Sequence, residues 1–146
     1  MRAFIYQAAL WCEDCGWAIR ARLEKEIKIP VHDFLKQVGD LEEWKENRGS
    51  WARELIREKH GIPMHAKKVW PPGFDPEDET TFDSDQYPKG PYCNGGGESD
   101  CPNHCDGCKV FLENPLTQDG ENYVREQADK GHIPDEWREF YDYLLE

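Results

Sequence analysis

Apolar positions in the first third of the chain predict a strand followed by helices. Residues 3–11 form a short run rich in aromatic and aliphatic side chains, which is typical of a strand. In residues 17–28 apolar side chains recur every fourth position between charged ones, which predicts a helix that ends before Pro30. Residues 32–38 are predicted to add one short helical turn.

A second helix is predicted over residues 40–60. Asp40 can cap its first turn, and Glu43 three positions later completes a capping-box pattern. Gly61 stands where helices usually end, and Gly49 is expected to split or bend the helix. The predicted core positions on this helix are Trp44, Trp51, Leu55 and Ile56.

The last third of the chain predicts a short strand and two helices. The strand covers residues 109–112 and is expected to pair with residues 3–9. Thr117 is expected to cap a helix that runs to Lys130 and ends at Gly131. The final helix, residues 134–146, carries an apolar stripe that must pack against a core. The stripe consists of Trp137, Phe140, Tyr141, Leu144 and Leu145.

Residues 62–103 lack any such pattern. Seven prolines and repeated glycines in this segment exclude long helices and central strands. Five aromatic residues are expected to hold this coil on the surface with its carboxylates outward: Trp70, Phe74, Phe82, Tyr87 and Tyr92. The predicted fold is therefore α+β, a single zinc-stabilised domain over residues 1–146. A short hairpin or sheet carries the cysteine pairs, beside about four helices and a long irregular acidic coil.

Composition restricts the function classes. The net charge is −12, and residues 71–121 alone carry 12 acidic and 2 basic side chains. Such a field repels nucleic-acid phosphates, so we expect no direct nucleic-acid binding. The expected partners are instead basic protein surfaces or cations, unless the charge serves solubility alone. No run reaches the length of a membrane span and no secretory signal is recognisable, so a cytoplasmic location in a bacterial host cell is expected.

The main chemical signal is a pair of Cys-x-x-Cys motifs, Cys12 with Cys15 and Cys105 with Cys108. Each motif directs two sulfurs at one tetrahedral ion about 2.3 Å away, so together they predict a four-thiolate structural zinc site. Gly16 after the first pair suits a tight turn. Disulfides or a redox-active pair remain alternatives. However, the expected compartment is reducing, and a redox pair leaves the second motif unexplained.

Three further residues can bind metal. Cys93 and Cys101 flank a glycine-rich stretch, and His104 precedes Cys105. They form a possible second metal site if a fourth ligand such as Asp100 or His65 joins them. The alternatives are free thiols, an oxidisable pair, or His104 replacing one thiolate of the first site.

No catalytic motif of a hydrolase, nucleotide-binding enzyme or deaminase is present, and four thiolates leave zinc no open position. Catalysis is therefore not expected. The favoured function is a zinc-stabilised protein-binding module of unknown oligomeric state. Two alternatives stay open: an acidic nucleic-acid mimic that inhibits a DNA- or RNA-binding defence protein, and a small hydrolase-like enzyme acting around His104 and the acidic coil.

Several strings resemble a family of small zinc-knuckle proteins of bacteriophages and proteobacterial (prophage) genomes. They are Asp-Ser-Asp-Gln-Tyr-Pro-Lys-Gly-Pro from position 83, Gly-Gly-Gly-Glu-Ser-Asp from 95, His-Cys-Asp-Gly-Cys from 104 and Phe-Leu-Glu-Asn-Pro-Leu-Thr from 111. The resemblance covers residues 83–125 and, more loosely, residues 6–16. It implies a phage-related origin and no particular activity. Members of the family usually lack cysteines at the positions of Cys93 and Cys101, and this difference weakens the case for a second metal site.

Overall fold

The computed structural model describes residues 1–49 and 51–145 as an α+β fold, with six α-helices and two small antiparallel sheets among those residues. Their packing separates two compact units. We call residues 1–21 and 83–145 the cysteine unit, and residues 22–82 the inserted unit. Helix α1 (Glu13–Ile27) contributes residues to both. The single-domain assignment stays a prediction.

The cysteine unit is built on a three-stranded sheet. Strand β1 (Ala3–Tyr6) lies between β2 (Ala9–Cys12) and β5 (Lys89–Tyr92) and is antiparallel to both. The single strand predicted over residues 3–11 is therefore a hairpin. Gln7 and Ala8 form a two-residue turn with positive φ angles of 50° and 59°. The sequence does not predict this turn, because it lacks the Asn-Gly or Asp-Gly pair that such turns usually contain.

The predicted pairing of residues 109–112 with residues 3–9 is wrong. The second partner of β1 is β5, with Ala3 opposite Tyr92 and Ile5 opposite Lys89. Pro91 is tolerated in β5 because this strand forms the sheet edge, where a missing N–H breaks no central ladder. Phe111 instead forms an isolated antiparallel bridge with His104.

The C-terminal part of the cysteine unit packs a second core. Helix α5 (Gln118–Asp129) begins as predicted, with the Thr117 side chain accepting a hydrogen bond from the Gly120 N–H at 3.1 Å. The last predicted helix is shorter: α6 covers Asp135–Phe140, and a 3₁₀ turn follows at Asp142–Leu144. Tyr141 and Leu144 are buried as predicted, whereas Phe140 is 40% exposed.

The described residues of the inserted unit contain three complete α-helices and a two-stranded sheet. Helix α2 (Val31–Val38) follows β3 (Ile29–Pro30), and β3 pairs with β4 (Lys68–Val69). The helix predicted over residues 40–60 is two helices, α3 (Leu41–Glu46) and α4 (Trp51–His60). Between them Gly49 has a φ of 72°, which no helix contains, so the expected split is confirmed.

The core of the inserted unit corrects two further expectations. Trp44 and Ile56 are buried among the residues Phe34, Leu35, Ile62 and Val69. Trp51 is 74% exposed and Leu55 is 50% exposed, because the break near Gly49 turns α4 relative to one continuous helix. Asp40 does not cap α3 with its side chain. Its carboxylate lies 2.6 Å from His60 Nε2 and 3.4 Å from Lys59 Nζ instead.

Candidate metal centre

The first cysteine pair spans a strand-to-helix junction. Cys12 is the last residue of β2, opposite Ala3 of β1, and Cys15 lies in the first turn of α1. The Cys15 N–H, one of the N–H groups that a helix start leaves unpaired, donates to the Cys12 sulfur at 3.4 Å. The junction therefore fixes both sulfurs on one side of the sheet end.

The second pair lies in a tight knuckle between residues 104 and 111. The Cys105 N–H donates to the Val110 carbonyl at 2.9 Å, and the Lys109 N–H donates back to the Cys105 carbonyl at 3.0 Å. The knuckle is attached to the first pair by the backbone, because the Asp106 N–H donates to the Leu10 carbonyl at 2.8 Å. This bond brings the second knuckle alongside strand β2.

The four cysteine sulfurs lie within 4.8 Å of one another. The sulfurs of Cys12 and Cys108 are 3.7 Å apart. Four sulfurs at tetrahedral corners, each about 2.3 Å from a central ion, are about 3.8 Å from one another. Hence the four cysteines can hold one metal ion, and all four are free of disulfide bonds.

Burial and backbone donors give the four thiols different acidities. Burial raises the pKa of Cys12, and it raises the pKa of Cys15 to about 12 together with the neighbouring sulfurs. Burial also acts on Cys105, but backbone N–H groups of Cys12, Cys108 and Gly107 outweigh it and lower its pKa to about 6. One thiolate is thus stabilised by the protein itself. The remaining protons must leave when a cation binds, since the metal ligand is the thiolate.

Close packing of rings surrounds the cysteines. Gly16 belongs to α1 and makes no tight turn, contrary to the expectation; a Cβ there would overlap the ring of Phe4. A Cβ on Gly107 would lie 3.1 Å from the Trp11 ring and 3.4 Å from the Cys15 sulfur. Cys105 is fully buried and Cys12 nearly so, while Cys108 is exposed. The cysteine cluster is therefore buried on the side of Cys12 and Cys105 and exposed to solvent at Cys108.

The structure does not bring Cys93, Cys101 and His104 together with a fourth ligand. His104 Nε2 lies 3.6 Å from Glu136 Oε1, and its ring contacts Phe111 and Trp137. The Cys101 sulfur lies 3.7 Å from Asn103 Oδ1. Within residues 1–49 and 51–145, the four-cysteine cluster is the only group of three or more potential ligands close enough to share an ion.

Of the five rings expected to hold the irregular acidic segment, two are buried and three are half-buried. Phe82 and Tyr87 are buried, and Trp70 stacks on Phe74, which stacks on Phe82. Its carboxylates serve local turns: Asp78 accepts hydrogen bonds from the backbone and hydroxyl of Thr80, which lowers the pKa of Asp78. In the part of the chain that the structure describes, no helix is long and apolar enough to cross a membrane.

Two features of the metal centre were missed in the sequence analysis. One is the backbone bond from Asp106 to Leu10, which depends on the register of a distant strand. The other is the approach of Trp11 to Gly107; only the presence of a glycine inside the second knuckle hinted at a close neighbour. No protein-family description matches the chain, and no curated protein or solved structure is significantly similar to it.

Proposed function

We propose that Cys12, Cys15, Cys105 and Cys108 hold one structural zinc ion that closes the cysteine unit. The observation that supports this proposal is that the four sulfurs lie within 4.8 Å of one another. Four thiolates suit zinc, and they fill its tetrahedral shell without an open position for a substrate or water. The role of the ion is therefore to join β2, the start of α1 and the distant knuckle, which ties residues far apart in the chain.

The test is metal content after purification with and without added zinc. The wild type is expected to hold about one zinc per chain, and the double variant Cys12→Ser, Cys105→Ser to hold none. The matched control is Cys93→Ser, Cys101→Ser, which removes two cysteines outside the cluster and should keep the zinc. Full zinc in the first variant, or loss in the second, contradicts the assignment.

We further propose that the cysteine unit is a binding module for a basic protein surface. Residues 1–21 and 83–146 contain 7 basic and 17 acidic side chains, a net charge of −10 out of −12 for the chain. The carboxylates are almost all exposed, and aromatic rings are exposed among them: Trp17, Tyr123, Phe140 and Tyr143. Exposed rings of this kind often provide the apolar anchors of an interface, while the charge speeds encounter.

Elution with salt and variants with fewer charges test the proposed binding of a basic protein surface. Zinc-loaded protein is immobilised, and bacterial-host and phage proteins retained at low salt are eluted with about 0.5 M salt, which screens charges beyond a few ångströms. The resemblance to phage and prophage proteins is the ground for using these lysates. A partner released by salt and equally by added DNA favours the nucleic-acid mimic. Release by salt alone favours the binding module.

Association rates with a purified partner then locate the surface. The first variant neutralises four exposed carboxylates of the cysteine unit: Asp85→Asn, Glu98→Gln, Glu139→Gln and Asp142→Asn. The control neutralises four exposed carboxylates of the inserted unit: Asp33→Asn, Glu43→Gln, Glu46→Gln and Glu58→Gln. The first should slow association about tenfold and the control less than about twofold, with small effects on dissociation. Equal slowing by both would leave only a general charge effect.

A further inference from the structure

The inserted unit contains a cavity that the proposed zinc site and acidic surface do not involve. Its volume is about 470 Å³, within the range of about 300–1,000 Å³ that small-molecule sites occupy. It is lined by residues from the start of β3 to the turn after β4, all within residues 22–82. Its exposed lining is polar and apolar in about equal parts, and it includes three aromatic rings from Phe34, Trp70 and Phe74.

The titratable side chains that line this cavity are all bases. Lys28, His60 and Lys68 line it, and none of the described residues that line it is acidic. This is unusual in a chain with 30 acidic and 18 basic residues. A cavity that combines aromatic rings with basic groups favours a ligand that combines an apolar body with a negative charge.

The three basic side chains differ in whether a carboxylate already pairs with them. Lys28 Nζ lies 2.7 Å from Glu24 Oε1 and 5.2 Å from the centre of the Trp70 ring. Lys68 has no carboxylate within salt-bridge distance among residues 1–49 and 51–145, although β4 holds its backbone against Pro30. Lys68 is therefore the base best placed to meet an added anion.

The position of His60 is fixed from two sides. Its Nε2 lies 2.6 Å from Asp40 Oδ2, and its ring meets the Phe34 ring edge-on with centroids 5.3 Å apart. Asp40 itself does not line the cavity. A histidine held in this way keeps its other ring nitrogen as a fixed hydrogen-bonding group.

We propose that this cavity binds a small organic anion with a flat apolar body, such as an aromatic carboxylate. The ring of the ligand lies against the aromatic rings that line the cavity, and its charge meets Lys68 with Lys28 and His60 nearby. Neither the zinc ion nor a protein partner takes part, because every lining residue belongs to the inserted unit.

The test uses zinc-loaded full-length protein and 2-naphthoate as the probe, with neutral 2-naphthamide of the same shape as its control. Binding is followed by the NMR signal of the Trp70 indole N–H, assigned with Trp70→Phe. Lys68→Gln should weaken naphthoate binding about fivefold, the effect of one partly exposed ion pair. The matched variant Lys67→Gln removes the same charge from a neighbour that does not line the cavity, and it should leave binding within about twofold.

2-Naphthamide should bind the wild type at least about fivefold more weakly than naphthoate does. Its affinity for both variants should equal its affinity for the wild type. Each variant replaces an exposed lysine with a polar residue, so we expect it to fold. Unchanged NMR signals outside the cavity confirm that it does. The proposal is overturned if naphthoate leaves the Trp70 signal unmoved, if Lys67→Gln weakens binding as much as Lys68→Gln, or if the amide binds as tightly as the anion.

Discussion

Arg20 is a buried cation that holds the loop before β5. Its Nε and Nη2 groups both donate to the Pro88 carbonyl, at 3.0 and 2.7 Å. The guanidinium lies 4.7 Å from the centre of the Tyr87 ring and 5.1 Å from that of Phe4. A planar group with several donors suits this position, because it stacks on rings and hydrogen-bonds along its edge at once.

Arg20→Lys is therefore expected to lower the free energy of unfolding by about 1–3 kcal/mol, since lysine keeps the charge and loses the paired donors and the stacking. Arg22→Lys is the control; its side chain is exposed and only 3.9 Å from Glu26. Urea unfolding measures both. Equal stability of the two variants would show that charge alone, and not the guanidinium, is required at position 20.

Asp40 gives the inserted unit a pH dependence. Its hydrogen bond with His60, then those with Lys59, lower its pKa below the ordinary 3.8. A carboxyl with a lowered pKa in the folded state stabilises the fold above the ordinary value and loses that contribution as pH falls through the folded one. The stability difference between wild type and Asp40→Asn should thus shrink as pH drops below about 3.8.

Urea midpoints of both proteins between pH 6 and pH 2 measure this difference, and any loss of metal at low pH affects both alike. A difference that stays constant down to pH 2 would show that the Asp40 carboxylate contributes nothing as a charged group.

At the scale of elements, the β1–β2 hairpin carries a measurable strain. Ala8 has a φ of 59°, a left-handed conformation that costs a residue with a Cβ about 1–2 kcal/mol relative to glycine. The chain adopts this hairpin despite the cost, because the hairpin places Cys12 opposite Ala3 and beside the second knuckle. Its turn is thus determined by the contacts at the other end of the strands.

Ala8→Gly should raise the free energy of unfolding by about 0.5–1 kcal/mol, because glycine adopts this conformation without the clash. Ala18→Gly, at an exposed position inside α1, should lower it by about 1 kcal/mol. Thermal or urea unfolding of both variants tests the pair. The same sign at both positions would contradict the strained turn.

At the scale of the whole molecule, the proposed zinc should stabilise one unit selectively. The inserted unit has its own core around Leu35 and Trp44 and contributes none of the four cysteines. The cysteine unit depends on the knuckle, whose amides at Cys105, Asp106 and Lys109 donate to backbone carbonyls.

A strong zinc chelator should therefore speed hydrogen exchange at these knuckle amides by more than about tenfold, because metal binding and folding are coupled there. The amide of Trp44, which donates to the Asp40 carbonyl at 3.0 Å, should exchange at an unchanged rate. Hydrogen exchange read by NMR with and without chelator gives both rates. Protection lost to the same degree in both units would mean that the metal stabilises the chain as a whole.

Features that depend on neighbouring residues were predictable from the sequence. The cap at Thr117, the break at Gly49, the irregular proline-rich segment and the α+β class follow from local backbone preferences, which act over a few positions. The two Cys-x-x-Cys motifs predicted a cysteine cluster for a similar reason, since each pair brings its own two sulfurs together.

Contacts between distant segments could not be predicted in this way, because they depend on how the whole chain packs. Residues 109–112 were expected beside β1, but the register of β5 fills that place, and pairing across the chain has no short-range signal. Asp40 matched a capping box, yet it bonds to His60, twenty positions away in the chain. The basic cavity of the inserted unit likewise joins Lys28 to His60 and Lys68, which follow more than thirty positions later, so long-range packing creates it.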